Sequence, residues 1–342
     1  MTDVWQNLKT ESNPILLYGT GNGADKILAE LKKHEIKISG VFASDGFVRE
    51  RYFQGFKVMS LSEAEETFSN FTVLFAFGSN RQEVISNIKY IASRHKLLAP
   101  EVPVCGGEIF NAGFARQNAD KLFEVYNLLA DELSRKVFKE TVLFKLDGNI
   151  EHLFACETDS DEAFSSILKL SSGSSFLDLG AYNGDTVLDF INRVGEFSHI
   201  TAVEPDKKSF LKLTRNTDRY PITRINAAVS DSCGSVPFCF KSSRGSVFGG
   251  DELIPSVTID SLCRDRHFDY IKFDVEGKEL DAILGGEKTI KKDKPKMLIS
   301  AYHKSEDYFT IPLLIHKIRS DYKIYMRHYP YIPAWDTSFY FV

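Results

Sequence analysis

The chain has little cysteine: five in 342 residues, at positions 105, 156, 233, 239 and 263. The count is odd and no Cys-x-x-Cys pair occurs, so a disulfide framework and a structural zinc site are both disfavoured. Most of the thiols read as small buried apolar groups. Long apolar runs are missing as well. Stretches such as FTVLFAF fall well short of the roughly 18 residues a membrane helix needs, so no membrane insertion is expected. The opening MTDVWQNLKT lacks the basic start and apolar core of a secretory signal. No excess of positive charge exists: 42 basic against 47 acidic residues leaves −5, which disfavours electrostatic binding to nucleic acid. No internal repeat or low-complexity segment is visible. These absences point to a cytoplasmic protein. What remains, 43% hydrophobic and 26% charged residues, is the balance of a globular chain. At roughly 150 residues per domain, the length suggests two domains.

Strand-like apolar runs alternate with helical spacing in both halves. PILLYG (14–19), IKISGVFA (36–43) and FTVLFAFGS (71–79) read as strands, with helices over 23–33, 61–68 and 81–94. Ser62 is the expected N-cap of the second of these helices. Residues 112–150 place Leu122, Val125, Leu128, Leu129, Leu133 and Val137 at helical spacing, which predicts a connector of one or two amphipathic helices. Residues 158–174 are polar and serine-rich. A second series then begins, with strands at FLDLG (176–180), HITAVEP (199–205), TRINAAVS (223–230), DYIKFDVEG (269–277) and KMLISAYH (296–303). Helices are expected over 185–194, 207–216, 278–284 and 311–318. VPFCF (236–240) and SVTIDSL (256–262) form a β-rich insertion about a Gly/Ser-rich loop, and YKIYMRHY with SFYFV a terminal strand pair. Strands separated by helices imply parallel sheets. The expected fold class is α/β with two Rossmann-like domains: an N-terminal module over 1–111, a helical connector over 112–170 and a second α/β domain over 171–342.

The second domain carries the chemistry. FLDLGAYNGD ends a strand in Asp178 and enters a helix through Gly180 and Gly184, a turn whose backbone can lie close to a ligand. A helix N-cap or turn residue is the plain alternative for Asp178. AVEPD places Glu204 at the end of the next strand, where an acid can accept hydrogen bonds from two ribose hydroxyls. NAAVSD, with Ala227, leaves room for a purine ring. In KFDVEG, Lys272, Asp274 and Glu276 alternate with apolar residues, which on a strand would set them on one face. Three charges on one face need a purpose or a partner. A structural ion pair of Lys272 with Asp274 or Glu276 is the plain alternative. Glu276 and Glu279 read as structural, with Glu279 closing a helix start.

Residues from about 175 to the end resemble the FkbM family of S-adenosylmethionine-dependent methyltransferases. The likeness rests on DLGAYNGD, AVEPD, NAAVSD, VTIDSL, IKFDVEGKELDAILGG and SAYHKSEDYFTIP in that order. The YHK-x-E-D-x-x-x-I-P stretch and the connector's LLADELSR are similar to a sugar-related subset. The resemblance implies a class I methyltransferase fold with a terminal antiparallel strand pair, and S-adenosyl-L-methionine as cofactor. It implies that Asp178, Gly180, Tyr182, Asn183 and Gly184 hold the methionine part, Glu204 the ribose, and Asp206 and Ala227 the adenine pocket. Asp274 would lie beside the sulfonium and the acceptor. Many relatives carry an acid where this sequence has Ala301. That leaves His303 or Asp274 to take a hydroxyl proton, with Lys272 orienting the acceptor or tuning Asp274. A satisfied core histidine is the alternative for His303. Asp274, Glu276 and His303 could meet at a divalent ion, but their spacing is irregular and no metal is expected.

In the first domain, Gly19, Gly21 and Gly23 followed by Ala24 match G-x-G-x-x-G/A between a strand and a helix, with Asp45 beyond the next strand. An NAD site is one reading. A plain tight turn is favoured, and the lack of a Tyr-x-x-x-Lys dyad near the right strand weighs against an oxidoreductase. The region also resembles the nucleotide-sugar-binding module of sugar acyltransferases. That likeness implies a phosphate held by the 19–23 backbone with help from Arg81, and a module that binds part of the substrate or mediates homo-oligomer formation. The expected function is methyl transfer to a hydroxyl of a small, carbohydrate or nucleotide-sugar acceptor. Tyr329, Tyr331 and Trp335 could stack on its ring. The alternatives are an NAD-dependent sugar-nucleotide oxidoreductase or epimerase, and a non-catalytic ligand sensor.

Overall fold

The computed structural model describes residues 2–48, 52–239, 247–248 and 252–342. The apolar runs of the first half become β1 (Ile15–Tyr18), β2 (Gly40–Phe42), β3 (Tyr52–Phe53), β4 (Phe56–Met59), β5 (Thr72–Phe75) and β6 (Lys96–Leu98). They form one sheet in the order β3-β4-β2-β1-β5-β6, parallel except for the β3–β4 pair. Central β1 and β5 are buried along their whole length, as strands covered on both faces must be. The helices Asn22–Lys33 and Gln82–Arg94 each bury one stripe, Ala24, Ile27 and Leu31 in the first and Ile85, Ile88 and Ile91 in the second. Helix Leu61–Thr67 is capped by Ser60, not Ser62. Ser60 and Glu63 exchange bonds in a capping box, while the Ser62 hydroxyl donates to Asp45 (3.2 Å).

The connector is four helices, Ala112–Gln117, Ala119–Leu128, Glu132–Asp147 and Glu151–Cys156. Asn111 and Asp131 cap the first and third with their side chains, which marks breaks that periodicity alone does not reveal. The connector divides its apolar residues between two cores. Phe144, Ile150 and Leu153 pack with the first sheet, and Val125, Val137 and Phe138 with the second. The serine-rich stretch beyond it is helical too: Ser160–Glu162 runs into a π-helical turn, Ala163–Leu168.

The second half supplies β7 (Phe176–Leu179), β8 (Ile200–Val203), β9 (Thr223–Ile225), β10 (Ala228–Val229), β11 (Gly234–Cys239), β12 (Val247–Phe248), β13 (Glu252–Val257), β14 (Tyr270–Phe273), β15 (Lys296–Ser300), β16 (Ile324–His328) and β17 (Thr337–Phe341). The main sheet runs β16-β17-β15-β14-β7-β8-β9. Within it β17 alone is antiparallel to its neighbours, the class I methyltransferase arrangement that the resemblance implies. The expected strand 223–230 is two strands. β9 ends in the main sheet, and β10 joins the small sheet β10-β13-β11-β12, with Asn226 and Ala227 between them. β11 and β13 pair antiparallel as the insertion. Phe240 and most of the Gly/Ser-rich loop lie outside the described residues. Arg327 on β16, 1% exposed, donates to Asp131 and Glu162 at 2.9 Å each and ties the connector to the sheet.

Candidate active site

Asp178 lies on β7 opposite Lys272 of β14, fully buried. Thr186 from the following helix donates to its Oδ2. Its Oδ1 stands 3.7 Å from the Lys272 ammonium and has no hydrogen bond. Lys272 is 3.5 Å from Asp274 on its other side. Burial alone would lower the Lys272 pKa, but Asp274 and Asp178 hold it above its usual value. Burial likewise pushes Asp274 up, yet Lys272 and the Tyr302 hydroxyl (3.0 Å) keep it below the ordinary carboxylate range. Asp178 is raised by burial, which outweighs the pull of Lys272. Lys272 thus stands between two carboxylates, and Asp178 keeps one buried oxygen without a hydrogen bond, although Asp178, unlike Lys272 and Asp274, does not itself line the cavity. The predicted face is only partly realised: Glu276 lies past the strand at φ +52°. Its carboxylate faces Cys105 and His303 at 3.6 Å each.

The turn after β7 is shaped by Gly180, at φ +83°, where a Cβ would sit 1.9 Å from the Asp274 carbonyl oxygen. Only glycine fits there. Tyr182, at φ +45°, aims its N–H at Glu204 Oε2 (2.8 Å), and Asp206 N–H donates to Oε1 (2.8 Å). Burial pushes the Glu204 carboxyl up to about 7 against those two bonds. Asp206 also caps the helix Lys207–Asn216 through Ser209 N–H (2.8 Å). Gly184 serves helix packing, since a Cβ would meet Leu213 at 2.9 Å. The Asn183 carbonyl accepts from Asn216. Ala227 is packed in the main core. Pro205, Asp206, Val229 and Phe238 line the cavity near Glu204, and Phe238 carried no sequence signal.

His303 is not the neutral imidazole expected of a base. It is fully buried, with Nδ1 2.9 Å from Glu279 Oε1 and Nε2 3.5 Å from Asp274. Burial would lower its pKa, but Glu279, Asp274 and Glu276 raise it to about 10. It is a charged tie between these acids, and it does not line the cavity. Its carbonyl accepts from Val104 N–H and Cys105 N–H, holding the loop after β6 against the site. Among the described residues, no group of His, Cys, Asp and Glu is arranged to hold a metal ion.

A cavity of about 560 Å3 runs from Glu204 and Asp206 past Lys272 and Asp274 to Tyr302, Tyr331, Trp335 and Asn80. The far wall joins the two halves: Ser79 and Ile332 exchange backbone hydrogen bonds of 2.9 and 3.0 Å. Gly78 lies so close to Trp335 that a Cβ would sit 2.5 Å from its ring. Tyr331 and Trp335 have centroids 6.0 Å apart. The first-half glycines lie elsewhere. Gly19, at φ +117°, abuts Phe77, Gly23 abuts the Ala76 carbonyl, and Gly21 is open. Asp45 accepts from Leu61 N–H (2.8 Å) as well as Ser62. Arg81 is exposed and paired with Glu83.

Residues 178–327 match the model of the Methyltransferase FkbM domain, a stretch that includes Asp178, Glu204, Lys272, Asp274 and His303 of the site. The crystal structure of Methyltransferase FkbM from Methylobacillus flagellatus KT is similar over 97% of this chain and 90% of its own, with 22% identity and a TM-score of 0.76. That likeness shows a shared fold across both halves. Two slighter matches are precorrin-6y C5,15-methyltransferase from Geobacter metallireducens GS-15 (12% identity, 51% of this chain and 81% of that one, TM-score 0.33) and Aeropyrum pernix fibrillarin with natively bound S-adenosyl-L-methionine (17% identity, 50% and 67%, TM-score 0.32). No curated protein matches the sequence.

Proposed function

We propose that the chain moves a methyl group from S-adenosyl-L-methionine to a hydroxyl of a small carbohydrate-type acceptor. One observation carries this reading: the Gly180 turn and the Glu204 carboxylate close on one another through Tyr182 N–H, beside the unsatisfied Asp178 oxygen. In this reading Asp178 and the Gly180 turn hold the methionine part and Glu204 the ribose. Pro205, Val229 and Phe238 flank the adenine. When bound, the sulfonium supplies an electrophilic methyl group and takes back the electron pair of the broken carbon–sulfur bond. The protein's task is then chiefly alignment and exclusion of water. Lys272 pins both Asp178 and Asp274, and Asp274 keeps its charge toward the cavity. Tyr331 and Trp335 favour a ring with an apolar C–H face, such as a sugar. Asn80 brings the first half to the acceptor wall, a role in substrate binding rather than dinucleotide chemistry.

Calorimetric titration with S-adenosyl-L-methionine and, separately, with NAD tests this. Donor binding that Glu204→Gln weakens, followed by methyl transfer to a sugar or nucleotide sugar, supports the reading. Binding of NAD alone overturns it. Binding of the donor with no transfer to any hydroxyl compound favours a sensor.

A further inference from the structure

The transfer end of the cavity holds an acid that belongs to no sequence motif. Because β17 is antiparallel to β15, its beginning lies at the edge where the parallel strands end. Phe273 pairs with Ile299, and Ser300 with Ser338. Asp274, one residue past Phe273, therefore falls in a row with Ser300 and Ser338. Asp336 stands two residues before Ser338, on the same face by the period of a strand. Asp336, Ser338, Asp274 and Lys272 all line the cavity. The Asp336 carbonyl accepts from Tyr329 N–H (2.9 Å), which fixes the backbone. Its carboxylate has no hydrogen bond or ion pair among the described residues, only longer-range influence from Asp274 and Lys272.

The two carboxylates are therefore unlike. Asp274 is committed to Lys272 and Tyr302 and is a weak proton acceptor. Asp336 is uncommitted, and burial with the nearby Asp274 charge lifts it to about 6, closer to the pH at which a base works best. The other groups that bear on it are Tyr329 and Tyr340, hydrogen-bonded to each other, and His328, which burial pushes down to about 4 and so keeps neutral.

We propose, on the methyl-transfer reading above, that Asp336 is the catalytic base that takes the proton of the acceptor hydroxyl. The acceptor O–H bond breaks, its proton passes to an Asp336 oxygen, and the electron pair left on the acceptor oxygen forms the new bond to the methyl carbon. The pair of the old carbon–sulfur bond leaves with sulfur, and Asp336 returns its proton to water. Asp274 and Lys272 keep their charges throughout.

The test compares the full-length protein with Asp336→Asn and Asp336→Glu. Donor affinity is read by calorimetry. Transfer is read with methyl-labelled donor against a panel of free hexoses and nucleoside diphosphate hexoses. Carboxyl titration is followed by NMR of carbon-13-labelled aspartate. Expected for Asp336→Asn are donor affinity within threefold of wild type, kcat lower by roughly 10²–10⁴ with little change in acceptor KM, and loss of both the acid limb near pH 6 and the matching carboxyl titration. Asp336→Glu should recover part of the rate. Unchanged kcat and pH profile in Asp336→Asn would overturn the assignment. Failure of the wild type to bind the donor, or donor binding with no transfer to any panel member, would instead remove the methyl-transfer reading itself and the base with it.

Discussion

The two halves each turn from a first strand into a helix through glycines, at the same edge of a parallel sheet, yet only one turn faces an available acid. In the second half, Asp178 keeps an unsatisfied oxygen and Glu204 closes on the turn itself. In the first half the residue two before the first glycine is Leu17, buried and apolar, the strand's last residue Tyr18 is hydrogen-bonded to Ser44 and Asn87, and Asp45 is consumed at the start of Leu61–Thr67. Three of these glycines, Gly19, Gly23 and Gly180, answer to packing against a neighbouring ring or carbonyl. A glycine pattern thus reports how closely the backbone must approach something. The partners of the adjacent acids decide whether that something includes a ligand.

The sharpest way to break this comparison is Gly180→Ala. Its left-handed backbone and the 1.9 Å approach to Asp274 should cost about 4 kcal/mol and abolish donor binding, read by urea unfolding and calorimetry. His303→Gln, which leaves Glu279 and its acidic neighbours unpaired, should cost about 3 kcal/mol. The folded His303 pKa is raised, so its contribution is full below about 6.5 and fades as pH climbs toward 10. The urea gap between wild type and variant should therefore be wider at pH 6 than at pH 9.5. Glu204→Gln should weaken the donor by about 100-fold with little loss of fold, since charge-assisted hydrogen bonds are worth roughly 1.5–3 kcal/mol. In the wild type, ribose hydroxyls should favour the ionised carboxylate. With Glu204 at about 7, affinity should fall by up to about tenfold per pH unit below that value, and the variant should lose this dependence. Gly21→Ala has open space around it. It should shift stability by no more than about 1 kcal/mol and leave donor affinity unchanged. A large loss of donor binding there would dissolve the contrast between the two turns.

Much of this was legible from residue order. The strand–turn–helix unit at Asp178, the acid after β8 and the alternation of Lys272 with Asp274 need only neighbours in sequence. Burial of His303 was not legible, because Glu279 and Asp274 reach it from other elements. Nor was the second use of Asp206 as a helix cap distinguishable from a role in a pocket. The split of the 223–230 run arises because Asn226 spends its amide on the Glu204 and Pro205 carbonyls (2.8 and 3.1 Å), turning the chain between two sheets. Asp336 escaped for a topological reason: a search of strand ends for site residues overlooks the start of the strand that runs against the rest of the main sheet. The tail's alternating DTSFYF pattern would have marked Asp336 as facing the same way as Ser338 and Tyr340.

The insertion of β17 between β15 and β16 has a consequence in time. During synthesis β16 emerges before the strand that joins it to the sheet, with only the connector, through Ala130 N–H to the Ile324 carbonyl (2.8 Å), to hold it until residues 337–341 follow. The loop carrying Tyr331 and Trp335 leaves the ribosome between the two and can dock on Ser79 of a half made long before. A nascent chain can therefore form the Glu204 end of the cavity before the loop with Tyr331 and Trp335 closes the other end.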